Sequence, residues 1–137
     1  MNSKKLSRFV FVTVLAMAVG SCSYAYEITA VARNGALAFT IGGSGLFGGR
    51  TPYVQYVMVD AVGKPNKPVW KLETQVTNGI EMHEVSYGKA PANMKTTVGP
   101  SPLIVGQLYR AQFLTGDGGG SREFAISDDG VLLNMRP

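Results

Sequence analysis

From Glu27 onward the chain is a series of short apolar–polar alternations punctuated by Gly, Asn, Asp and Pro. Side chains two apart share one face of a strand, so each alternating run predicts a half-buried strand. Glu27 to Arg33 and Ala36 to Ile41 flank Asn34-Gly35, a dipeptide suited to the positive φ values of a tight hairpin turn. These two runs are predicted to pair, with Leu37, Phe39 and Ile41 on one face. Tyr53 to Asp60 is apolar on both faces, the pattern of a central strand or of an edge that meets a partner. Val69 to Val76 alternates cleanly. Trp70, Leu72, Thr74 and Val76 face one way, with Trp70 as core anchor, and Lys71, Glu73 and Gln75 face the other.

Thr77-Asn78-Gly79 turns the chain into Ile80 to Tyr87. Residues 88–102, with Pro91, Pro100 and Pro102, read as a crossing between sheets. Leu103 to Leu114 reads as the longest later strand, with Tyr109, Ala111 and Phe113 inward. Asp117-Gly118-Gly119-Gly120-Ser121 reads as a loose hairpin loop, Glu123 to Ser127 as the return strand, and Asp128-Asp129-Gly130 as a tight turn into Val131 to Met135. No segment in this region carries a helical period. About seven to nine short strands with regular turn signals predict an all-β fold. The architecture expected is a small antiparallel β-sandwich, immunoglobulin-like or similar, with a small β-barrel as the alternative.

The first 25 residues differ in kind. Lys4, Lys5 and Arg8 lead into the apolar run Phe9 to Val19, followed by Gly20-Ser21-Cys22-Ser23-Tyr24-Ala25. Positive residues, an apolar stretch and small residues in that order are the pattern of an export signal. The run is shorter than the roughly 20 apolar residues a membrane-spanning helix needs. Two processing readings stay open. Ser23-Tyr24-Ala25 offers small residues for cleavage before Tyr26. Ala18-Val19-Gly20-Ser21-Cys22 is similar to a bacterial lipobox, whose cysteine carries lipid and begins the mature chain. The expected organisation is therefore a signal peptide over 1–25, or a lipoprotein signal over 1–21, followed by one β-sandwich domain over 26–137. Cys22 is the only cysteine, so no disulfide forms within one chain.

Export changes the meaning of the charge. The chain has 13 Lys and Arg, of which Lys4, Lys5 and Arg8 leave with the signal, so ten face nine acidic residues. The remaining lysines are scattered among glutamates, and a nucleic-acid role needs a basic stripe. No nucleic-acid partner is expected.

The order Val69-Trp70-Lys71-Leu72, Tyr87-Gly88-Lys89-Ala90-Pro91, Pro102-Leu103, Gly106, Tyr109 and Phe124-Ala125-Ile126 resembles small exported or lipoprotein-type β proteins of bacteria. The resemblance spans residues 69–126. It implies a β fold and an envelope compartment, and no chemistry.

Candidate chemistry is sparse. Gly43-Ser44-Gly45-Leu46-Phe47-Gly48 fits G-x-G-x-x-G, but Pro52 and a β-rich run follow where a phosphate-binding helix is required. The stretch reads instead as a permissive connection that carries two apolar residues, Leu46 and Phe47. A nucleophilic triad needs a base beside the nucleophile, and His83 is the one histidine. Asp117, Glu123, Asp128 and Asp129 match no calcium-loop pattern. No catalytic, cofactor or metal residue is assigned. The leading expectation is a non-catalytic envelope protein, periplasmic or tethered to the outer membrane through Cys22. It would recognise another envelope protein or a cell-wall component through Leu46, Phe47, Tyr53 and Tyr56. The alternative is a periplasmic module that binds a glycan or small ligand with Tyr53 and Tyr56. A small hydrolase using Glu73, Glu81 or His83 is third.

Overall fold

The computed structural model describes residues 24–43 and 50–137. They form ten strands: β1 (Tyr24–Arg33), β2 (Ala36–Gly43), β3 (Tyr53–Ala61), β4 (Pro68–Thr74), β5 (Ile80–Glu81), β6 (Glu84–Ser86), β7 (Met94–Val98), β8 (Tyr109–Thr115), β9 (Gly118–Ile126) and β10 (Leu132–Asn134). No helix occurs among the described residues. The fold is all-β, as the alternation predicts, and its sheet curls into an open half-barrel.

The Asn34-Gly35 hairpin forms in the expected register, from Arg33 opposite Ala36 to Tyr26 opposite Gly43. Asn34 and Gly35 both take positive φ, 51° and 77°, as a turn matched to strand twist requires. Along the main path the strands run β6-β2-β1-β9-β8-β3-β4-β7, with β10 beside β9 and β5 beside the start of β3. β3 is central, flanked by β8 on one side and by β4 and β5 on the other. The curl brings β2 round to the start of β3. Met82 N–H donates to Pro52 C=O, Ile41 N–H to His83 C=O and Tyr87 N–H to Leu37 C=O, so the segment around β5 and β6 stitches the start of β3 to β2.

The concave face holds the core. Trp70, Phe39, Phe124, Ile28, Leu72, Val54, Val57 and Val59 are fully buried. Phe39 packs edge-on against Phe124 at 5.3 Å and against Phe113 at 6.1 Å, and Tyr109 stacks on Phe124 at 5.8 Å. Burying each large apolar side chain contributes about 1.5–3 kcal/mol. Val54 and Val57 both point inward although they are three apart. A bulge between Val54 and Tyr56 absorbs the extra residue and leaves Gln55 and Tyr56 on the outer side.

Ile80 to Tyr87, which reads as one strand in the sequence, divides into β5 and β6, paired with β3 and β2 respectively. Three other segments depart from the sequence pattern. Residues 88–102 contain a strand, β7, which pairs with β4. β8 begins at Tyr109, and Leu103 to Leu108 form a turn closed by Gln107 N–H to Ile104 C=O. The glycines of 118–120 lie inside β9, and the hairpin turn is only Gly116-Asp117. Close approach explains the last departure. A Cβ on Gly118 would collide with the Tyr24 backbone, one on Gly119 with the Phe113 carbonyl, and one on Gly120 with the Tyr26 carbonyl. Glycine weakens an isolated strand but lets another backbone come this near.

β1 and β9 run parallel only at Tyr24–Gly118 and Ala25–Gly119, then part company. β10 lies in the wedge between them, and side chains complete the hydrogen bonding. Asn134 Oδ1 accepts from Ala30 N–H and its Nδ2 donates to Ala30 C=O, both at 2.8 Å. Arg122 Nε donates to Ile28 C=O at 2.7 Å, and its Nη1 donates to Met135 C=O at 3.1 Å. Backbone groups of a buried strand need partners, and here an amide and a guanidinium supply them.

Candidate binding cleft

The site is assembled by two turns and the stretch that leads into β3, at one end of the curled sheet. The first is Gly116-Asp117, which joins β8 to β9. Asp117 is fixed from several directions. Thr115 Oγ1 donates to Oδ1 at 2.8 Å, and the Tyr26 hydroxyl lies 3.0 Å from each carboxylate oxygen. Arg50 Nη1 reaches Oδ2 at 3.4 Å, and Tyr24 N–H donates to the Asp117 backbone carbonyl at 2.8 Å. Burial alone would raise the Asp117 carboxyl, but hydrogen bonds from Thr115, Tyr26 and Arg50 outweigh it and hold the group below its ordinary range. It stands as a carboxylate at neutral pH. The Tyr26 hydroxyl is pushed the other way, to about 12, by burial first and then by its bond to that carboxylate.

The second turn is Val76 to Gly79, closed by Gly79 N–H to Val76 C=O at 3.1 Å. Gly79 has a φ of 80°, and a Cβ there would press on the Val54 and Tyr53 carbonyls. Only glycine lets this turn lie against the start of β3, and that placement sets Asn78 beside Tyr53. The third is the stretch Arg50 to Pro52 leading into β3. Arg50 lies over the Tyr24 ring at 5.2 Å, and Tyr24 packs edge-on against Tyr26 at 4.7 Å.

Thr51, Tyr53, Asn78, Gly116 and Asp117 together line a cleft of about 470 Å³. Tyr53 is 51 % exposed, so its ring is offered to solvent. The cleft thus carries one aromatic face, one carboxylate, one amide and one hydroxyl. A smaller depression of about 200 Å³ lies between β6 and Pro91, lined by Glu84, Ser86 and Lys89 among others.

Of the residues singled out in the sequence, Tyr53 lies in the cleft. Tyr56 lies on the outer face of β3, opposite Glu73 and Leu114, with Lys71 Nζ 5.7 Å from its ring centre. Leu46, Phe47 and Cys22 lie outside the described residues. Glu73 pairs with Lys71 at 2.9 Å, and Glu81 with His83 at 2.9 Å, all near the surface. The acidic residues weighed for calcium are dispersed. Asp117 serves the cleft, Glu123 pairs with Arg110 at 2.6 Å, and Asp129 accepts from Ser127. Among the described residues no three metal-capable side chains converge.

The sequence reading missed Asp117, Tyr26 and Arg50 as one unit. Tyr26 and Asp117 are 91 positions apart, and no local pattern joins them. The one available signal was the Thr115-Gly116-Asp117-Gly118 run, which has the composition of a tight hairpin. No protein-family model, curated protein or solved structure matches the chain.

Proposed function

We propose that this chain is an exported, non-catalytic recognition protein of the bacterial envelope, and that its cleft takes a hydroxyl-rich ligand of the cell-wall glycan type. The observation that carries the reading is the convergence of Tyr53, Thr51, Asn78 and Asp117 on a cleft of about 470 Å³. That volume falls in the usual range for small-ligand sites, roughly 300–1,000 Å³. An exposed aromatic ring suits the apolar face of a sugar, whose C–H groups pack on it. The carboxylate and amide suit its hydroxyls. An ionised carboxylate has about four acceptor positions; Thr115, Tyr26 and Arg50 are its three donors here, so Asp117 keeps room for about one ligand hydroxyl. Export rests on the positive, apolar and small-residue order of the first 25 residues.

A titration of the purified protein with soluble cell-wall glycan fragments tests this reading. The expected outcome is saturable heat release that is lost in Tyr53→Ala and Asn78→Ala, both exposed positions. No heat at millimolar ligand overturns it. A protein partner at Leu46 and Phe47 is the second reading. It is favoured by the placement of Arg50 at Asp117, which brings the chain out of that segment at the cleft. Unchanged envelope partners in a Leu46→Ser, Phe47→Ser double variant would remove it.

A further inference from the structure

We infer that the exported chain is processed upstream of Tyr24, so that Tyr24 and Ala25 remain in the mature protein. The inference rests on the export reading above, but not on the identity of the ligand. The sequence offers one cut before Tyr26 and one before Cys22, and the fold treats their products unequally.

β1 begins at Tyr24, not at Tyr26. Tyr24 and Ala25 are the residues that pair β1 with β9, opposite Gly118 and Gly119. Tyr24 N–H donates to Asp117 C=O at 2.8 Å. Its ring packs against Tyr26 at 4.7 Å, lies beneath Arg50 at 5.2 Å, and is half-buried against the core. The receiving side is also shaped for it. The three atoms nearest a Cβ on Gly118 are the O, C and N of Tyr24. Glycine within a strand is destabilising relative to alanine because its backbone loses more freedom on folding. The backbone at 118 also takes a φ of 156°, which favours glycine by itself, but the space a side chain would need there is filled by the Tyr24 backbone, and a chain starting at Tyr26 would leave that space empty.

Cleavage precedes folding, so the fold does not block the cut before Tyr26. It makes the product of that cut the poorer one. The parallel pairing would vanish, Asp117 C=O would lose its backbone donor, and a charged amine would stand on Tyr26, which is 4 % exposed. Hydrolysis of a peptide bond before Tyr24 leaves a carboxylate on the leader and an amine on the mature chain, with all these contacts intact. Starting the chain at Cys22 makes Tyr24 its third residue and keeps the whole of β1.

The test is the intact mass of the product when the full precursor is expressed in an export-competent bacterium. A product beginning at Cys22, Ser23 or Tyr24 is expected, and a mass with or without acyl chains at that start supports the inference. A product beginning at Ala25 or Tyr26 overturns it and leaves the export reading standing. An uncut chain beginning at Met1 overturns both. A second measurement compares purified chains 22–137 and 26–137, each carrying Cys22→Ser where Cys22 is present. The shorter chain is expected to melt lower by about 5–10 °C, or to fail to fold; equal melting temperatures overturn the inference.

Discussion

Replacing Asn134 tests whether one side chain does the work of a strand pair. Its amide occupies both backbone groups of Ala30, each at 2.8 Å, and Ala30 is 2 % exposed. A net contribution of about 0.5–1.5 kcal/mol for each bond makes the pair worth roughly 1–3 kcal/mol. Asn134 itself is exposed, so water reaches the gap left by Asn134→Ala and the expected loss is in the lower half, about 1–2 kcal/mol. Asn134→Asp is sharper. Its carboxylate still accepts from Ala30 N–H, but it loses the donor and faces the Ala30 carbonyl, so at pH 7 it should be less stable than Asn134→Ala. That repulsion raises the folded-state pKa of the new carboxyl above its unfolded value. The sign follows: the stability it offers is fully present below the unfolded pKa and lost as pH rises through the folded one. Asn134→Asp should therefore recover toward wild type in mild acid, while Asn134→Ala should not. Urea titrations followed by emission from Trp70, the single tryptophan and fully buried, give both numbers. A loss under about 0.5 kcal/mol in both variants, or no acid recovery in Asn134→Asp relative to Asn134→Ala, would refute the idea that the amide holds β1 to β10.

Two further outcomes are expected. Gly120→Ala puts a methyl into the Tyr26 carbonyl and within 2.9 Å of Ile28 Cγ1, at a place where β1 cannot move without opening the core. It should cost about 3 kcal/mol or more in the same urea assay, and a loss near the 1 kcal/mol of an ordinary substitution would show that the β1–β9 crossing is loose. At high pH, Tyr26 and Tyr87 are both held up to about 12, each by burial first, then by Asp117 in one case and Tyr109 in the other. Their folded values lie above the unfolded value of 10, so the stability they contribute is complete below pH 10 and falls away as pH climbs toward 12. Tyr26→Phe should flatten the fall of stability above pH 10, measured by denaturant midpoints across that range, and an unchanged slope would count against the buried hydroxyl.

The sequence alone determined what depends on near neighbours. Asn34-Gly35 turns as expected because the turn's φ values are set by those two residues. The alternations placed Trp70, Leu72, Tyr109, Ala111 and Phe113 inward because strand side chains alternate whatever lies beside them. The β class followed from that period. Tertiary structure decided the rest. Gly118 to Gly120 read as a loop because three glycines in a row lack any strand preference; the crossing of β1 against β9 makes them a strand. β7 was hidden among prolines, since only Met94 of its five residues is buried and the strand pairs with β4 across an irregular register. The cleft was illegible for the same reason. Its carboxylate at Asp117, its supporting Tyr26 and its exposed Tyr53 lie far apart in the chain, and only the curl of the sheet carries them to one end.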